Sequence, residues 1–334
     1  MAHPIDSALP CALRDRELVR EMRTKLHAST SYMLDVAESG LNQDLSAVRQ
    51  RVEFIRSGAP LSSTAYAFHD ALQHGLQKND PDFLSRLFSN VEKYSFVRSG
   101  IILTTLGAND SLTQCDTELL ADTYHRRSAG VYSIEYVLGP PSERGIRPSL
   151  AALDYSLHEL PQVDDETFRE LCESVSEIMV VKAGDMNAAS CFNTYGLIFV
   201  SEFEPNQSWT RYFEHIVHES AHYHVFAVCT VDPLVDEPDK ARFKSPFRSE
   251  PRPAYAIYHA MFVLSRTIHV FRKMRKMTRY AADLAGVSTS YNNAGNDLSF
   301  EDKFKMTYDV LKNDVRLTDV GGRLLESCRE MAFD

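Results

Sequence analysis

The stretch His215–His224, HIVHESAHYH, places four of the chain's twelve histidines in ten residues. Within it, His218-Glu219-Ser220-Ala221-His222 matches H-E-x-x-H. Histidines four apart stand on one face, one turn apart, if the segment is an α-helix. From that face two imidazole nitrogens reach a single metal ion at about 2.0–2.1 Å. Ser208 or Gln207 is suited to cap a helix starting at Trp209. Phe213, Val217, Val225 and Cys229 supply apolar positions that bury such a helix. His215 lies near the same stripe, but about 10 Å along the axis from His222 at ~1.5 Å per residue. It is expected beside the ion rather than on it. His224 points to another face and reads as a partly buried polar histidine.

A third ligand has to come from elsewhere. A metzincin site needs Gly three residues after the second His and then a third His; Val225 and Val228 occupy those places, which excludes that class. His259 is the preferred third ligand. It sits among Tyr258, Met261, Phe262 and Val263 on an apolar helical stretch. A histidine there is usually a hydrogen-bonded core residue, but two upstream histidines need a partner. Glu250, just ahead of that stretch, is the alternative on the gluzincin pattern; Asp236 and Glu237 follow.

Three arginines, Arg248, Arg252 and Arg266, crowd the same block, FKSPFRSEPRPAYAIYHAMFVLSR. A guanidinium holds a carboxylate through two parallel hydrogen bonds and keeps its charge when partly buried. The block therefore suits a dicarboxylate ligand. It equally suits a loop salt-bridged through Glu237, Asp239 and Glu250.

The H-E-x-x-H helix, the Ser245-Pro246-x-Arg248-x-Glu250-x-Arg252-Pro253 loop and the Tyr258-His259-Ala260-x-Phe262-Val263-x-x-Arg266 helix together resemble the H-E-x-x-H-motif proteins of peptide natural-product pathways. The resemblance in motif covers about residues 187–274. It implies an Fe(II)- and 2-oxoglutarate-dependent hydroxylase acting at a β-carbon of a ribosomally made precursor peptide. His218, His222 and His259 would hold the iron, where the usual set is two histidines and a carboxylate. Arg248 and Arg252, with Arg266 behind them, would bind the cosubstrate's distal carboxylate. Glu219 would orient a ligand or contact substrate. Two alternatives stay open: an intracellular zinc metallopeptidase with Glu219 as the base that activates metal-bound water, and a non-catalytic, metal-stabilised peptide-binding protein.

The rest of the chain frames that site. Periodic apolar residues predict helices over Leu13–Ser39, Ala47–Ile55, Thr64–Leu76, Pro81–Tyr94, Leu150–Leu160 and Asp165–Met179, and beyond the motif over Pro253–Met277, Phe300–Lys312 and Asp319–Met331. Glu177–Gly184 and Tyr195–Phe203 read as two strands of a small sheet ahead of the motif. Ser99–Gly107 reads as a strand or a buried helical turn, and Gly130–Pro141 as a strand. The expected class is α+β and predominantly helical, with a zincin-like H-E-x-x-H helix beside the sheet. A helical N-terminal region (1–139) is expected to precede a metal-binding catalytic region (149–334), joined by a Pro- and Gly-rich linker at Gly139–Pro148.

A net charge of −10 argues against a nucleic-acid partner held by phosphate neutralisation. Six scattered cysteines without a C-x-x-C pair suggest reduced thiols. The absence of a signal-peptide pattern and of any ~18-residue apolar run favours a cytoplasmic protein with a peptide partner and no membrane contact.

Overall fold

The computed structural model describes residues 4–56, 60–107, 112–128, 137–184, 186–203, 208–238, 240–245, 250–285 and 298–333. Its α-helices are α1 (Ala12–Leu41), α2 (Ser46–Arg56), α3 (Ser63–Lys78), α4 (Pro81–Ser89), α5 (Gln114–Ser128), α6 (Glu143–Ser174), α7 (Trp209–Cys229), α8 (Ala254–Arg275), α9 (Ala281–Ala285), α10 (Phe300–Asp314) and α11 (Asp319–Phe333). The strands are β1 (Ile102–Thr105), β2 (Glu177–Val181), β3 (Ala188–Ala189) and β4 (Leu197–Ser201). The chain is thus mostly helical with one small mixed sheet, an α+β protein.

The contacts divide it into two compact units that interleave along the sequence. One comprises residues 1–16, 152–171 and 206–334; the other comprises 17–151 and 172–205. The expected regions, 1–139 and 149–334, were continuous in sequence, whereas α1 and α6 each run through both units. The expected linker is helical from Glu143 onward, because α6 begins inside it. The strand expected over Gly130–Pro141 lies mostly outside the described residues.

In the second unit the sheet order is β1-β2-β4-β3, with β1, β2 and β4 parallel and β3 antiparallel to β4. Every residue of β2 is buried, and so are the first four of β4. Strands covered on both faces read as unbroken apolar runs rather than alternating ones, and EIMVV and LIFVS are two such runs. Helix α5 was not expected. Its sequence, QCDTELLADTYHRRS, offers few apolar positions, and α3 packs against it, as it does against α4.

In the first unit α8 is the helix against which α7, α10 and α11 all pack. Its buried residues occupy consecutive positions, such as Met261 through Ile268, rather than one stripe. That is the pattern of a helix covered on all sides. Leu150–Leu160 and Asp165–Met179 form one run interrupted at Asp164 (φ −154°, ψ 93°). The Asp164 carboxylate accepts from the Thr167 backbone N–H at 3.5 Å and from Thr167 Oγ1 at 3.0 Å, so Asp164 caps the second half. The second half stops at Ser174, because the residues from Glu177 enter β2.

Burial alone would raise the Asp164 pKa, but hydrogen bonds from His269 (3.1 Å) and Lys273 (2.8 Å) outweigh it and hold the carboxyl well below its usual range. A group with a depressed folded pKa stabilises the fold above its unfolded value, about 3.9, and loses that contribution as pH falls further. Asp164→Asn is therefore expected to narrow the gap between urea midpoints measured at pH 6 and at pH 3. An unchanged gap refutes the assignment.

Gly321 fixes the start of α11 against the loop after α7. A Cβ there would stand 2.0 Å from the carbonyl oxygen of Leu234, a buried residue at φ 63°. Backbone on both sides has to move, so Gly321→Ala is expected to destabilise by about 1–3 kcal/mol. Gly322, where a Cβ would meet nothing within 4 Å, is the control. Its alanine variant is expected to melt at or above the wild-type temperature, as helix propensity favours alanine by up to ~1 kcal/mol.

Candidate metal centre

Helices α7 and α8 belong to the same unit and carry the three expected histidines. Ser208 caps α7, accepting from the Thr210 N–H at 3.3 Å. His222 Nδ1 lies 3.2 Å from His259 Nδ1, with the rings near parallel at 22°. Two nitrogens each ~2.0–2.1 Å from one ion, at angles between octahedral and tetrahedral, are separated by about 2.8–3.4 Å. The observed spacing matches that of two ligands sharing an ion. The His218 ring stands 5.2 Å, centroid to centroid, from that of His222. Phe226 closes the apolar side, 4.8 Å from the His259 ring and 6.3 Å from that of His222.

Burial pushes His222 down to about 4 and His259 down to about 3, the neighbouring His222 adding to the effect on His259. His218 is driven well below its ordinary value by burial and then by His222, His215 and Arg211. At neutral pH all three imidazoles are therefore uncharged, which is the form that binds metal. In donor chemistry the three residues fit a metal ion, and His222 and His259 do so in spacing as well.

The other expected site residues are distributed more widely. Glu219 is buried on α7. Glu250 is exposed on the loop before α8, and Asp236 is exposed on the earlier loop. Glu237 accepts from the Arg316 backbone N–H at 2.8 Å. Arg248 lies outside the described residues. Arg252 forms an antiparallel bridge with Phe243 through two backbone hydrogen bonds of 2.8 Å. Arg266 is 2% exposed and lies on Glu170, at 3.0 Å from Oε1 and 3.1 Å from Oε2.

Glu170 belongs to a cluster that the sequence did not signal. Arg14 approaches its Oε2 at 3.2 Å and the Cys11 N–H donates to the same oxygen at 2.8 Å. Beside it, His224 Nδ1 lies 2.7 Å from Asp15 Oδ1, and its ring stacks on Phe262. Asp15, Glu170 and His224 are the one trio of His, Cys, Asp or Glu among the described residues whose ligating atoms all lie within 4.8 Å of one another. His218, His222 and His259 do not approach that closely as a set. The trio nevertheless has its cations already: Arg14 and Arg266 face its two carboxylates, so the cluster is a charge-compensated buried network. Only His224 hinted at it, as the motif histidine on the wrong face for the ion. It is more deeply buried than expected, at 1% exposed.

A second polar group lies at the start of α7. Arg211 and His215 both approach Glu214, at 3.4 and 3.5 Å. Burial brings Lys303 on α10 down to about 8, against the attraction of Glu214.

No protein-family model matches the chain, and no curated protein matches it.

Proposed function

We propose that the chain is an Fe(II)- and 2-oxoglutarate-dependent oxygenase that hydroxylates a residue of a peptide, at a β-carbon of a natural-product precursor. The observation that carries this reading is the 3.2 Å approach of two neutral imidazoles, half-buried His222 and buried His259, from helices brought together only by folding. His218 completes the ligand set in this proposal, as a three-histidine variant of a zincin-like helix site. The resemblance of the arginine-rich block to peptide-hydroxylating H-E-x-x-H proteins favours iron over zinc.

When bound, iron would supply the activation of dioxygen, one oxygen atom of which would end in succinate as 2-oxoglutarate loses CO2 and the other in the hydroxyl placed on the peptide carbon. The protein's part is to bind, orient and shield. The imidazoles give lone pairs without first losing protons. Phe226 packs against the rings of His222 and His259. Arg248 and Arg252 are assigned to the distal carboxylate of the cosubstrate. Arg266 is assigned to Glu170 instead, where it holds α8. Glu219 is given an orienting role, since no metal-bound water needs deprotonating. The setting in this proposal is the cytoplasm.

The test is anaerobic loading with Fe(II), then addition of oxygen and 2-oxoglutarate, with a pool of synthetic peptides present or absent. Iron-dependent succinate that rises with peptide, and is absent from the His222→Ala variant, is expected. Zinc-dependent peptide cleavage lost in Glu219→Gln, with no succinate formed, would replace this reading with a metallopeptidase.

A further inference from the structure

Helix α7 is sealed along most of its length. From Tyr212 to Val228 every residue is buried except His218, His222 and Phe226. Their i, i+4, i+8 spacing makes one stripe of the helix. From Ala254 to Ile268 on α8 the exceptions are Tyr255, Ala256 and Ala260. Solvent therefore reaches these two stretches at the residues around the candidate metal centre.

The two openings are one. The His259 ring lies 4.8 Å from that of Phe226 and 6.5 Å from that of Tyr255, centroid to centroid. His222 meets His259, whereas Phe213, earlier on α7, meets Phe271, later on α8. The helices thus run antiparallel. Phe226, one turn after His222, and Tyr255, one turn before His259, stand at the same end of the histidine pair. Tyr255 is 54% exposed, and among the described residues nothing hydrogen-bonds its hydroxyl.

Apart from the imidazoles, the opening offers two aromatic rings and two alanine methyl groups, with no charged side chain among these positions. A large aromatic left open beside a site marks recognition rather than packing. A charged side chain brought onto this wall would leave water without meeting a counter-charge there. An apolar one would cover Tyr255 and Phe226, and an aromatic one would add ring–ring contact.

We propose that Tyr255 and Phe226 are the specificity wall of the site, on which the substrate chain lays an uncharged apolar side chain, aromatic by preference, beside the position that reaches the histidines. Ala256 and Ala260 leave room along α8 for the substrate backbone. The inference rests on the histidines holding a metal ion, as in the proposed function, and names the class of residue that the site accepts.

The test compares the hydroxamates of acetylglycyl-Phe, acetylglycyl-Asp and acetylglycyl-Lys on the full-length, Co(II)-loaded chain. The hydroxamate anchors each compound on the ion and Co(II) absorption reports binding. Neither oxygen nor 2-oxoglutarate is present, so the result is independent of whether succinate is formed. The Phe compound is expected to bind about tenfold or more tighter than the Asp and Lys compounds. In Tyr255→Ala that preference is expected to fall by about fivefold or more, while acetohydroxamate, which carries no side chain, binds within about twofold of its wild-type affinity. Tyr255→Phe is expected to keep the preference. Equal affinity of the three compounds for the wild type, a preference untouched by Tyr255→Ala, or an equal loss of acetohydroxamate and Phe-compound affinity in that variant would each overturn the proposal.

Discussion

His222→Ala and His259→Ala are each expected to weaken binding of Fe(II), or of Co(II) as a spectroscopic stand-in, by more than about 100-fold. Loss of outer groups that merely orient a ligand already costs about 10–100-fold in metal systems, and in the proposed site these residues supply the lone pairs themselves. The two side chains face each other across 3.2 Å, so removing either leaves two of the three ligands of the proposed site. The measurement is equilibrium titration of the metal-free protein, with Co(II) absorption reporting nitrogen coordination. Succinate formation is expected to disappear in both variants while far-ultraviolet circular dichroism is retained. His224→Ala separates the site from its helix. It leaves the metal face of α7 intact but breaks the Asp15 pairing, so metal affinity should change little while stability falls. Retention of full metal affinity by His259→Ala would move the third ligand elsewhere, with exposed Glu250 the next candidate.

The second large effect is expected at Glu170. Its carboxylate is shared between Arg14 and Arg266, both about 2% exposed. Glu170→Gln leaves two buried guanidinium groups facing no full charge on that side chain. Breaking a buried pair by removing one partner costs about 3–5 kcal/mol, because the remaining charge stays buried. A marked drop in the urea midpoint is therefore expected. The double variant Glu170→Met/Arg266→Met is expected to regain part of that loss, since replacing both partners by apolar groups of similar size is often tolerated. This double variant also decides the role of Arg266. If Arg266 only holds α8 to α6, the double variant binds 2-oxoglutarate as the wild type does. If Arg266 clamps the cosubstrate, affinity falls by tenfold or more in a folded protein.

Much of the local structure was legible from spacing. The i, i+4 relation of His218 and His222, the Ser208 cap and the apolar run after Pro253 are statements about neighbouring residues, and a helix is made by neighbours. The runs EIMVV and LIFVS likewise announced strands, which pair in parallel. Helix α5 went unread because its sequence carries little apolar periodicity; packing against α3 supports it. The interleaved units were hidden for a related reason. A composition shift marks a linker, but it does not record that α1 and α6 pass from one unit to the other.

What the sequence by itself determined is a helix with two histidines on one face and a third candidate on a later apolar helix. Only the tertiary structure decided that His259, 37 residues beyond His222, meets it at 3.2 Å. It also decided that His224 belongs to Asp15, 209 residues away, and that Arg266 belongs to Glu170, 96 residues away. Periodicity fixes which face a side chain occupies. Which faces meet depends on how helices far apart in the chain cross in the core, and there the low dielectric makes an unpaired charge costly and selects the partner.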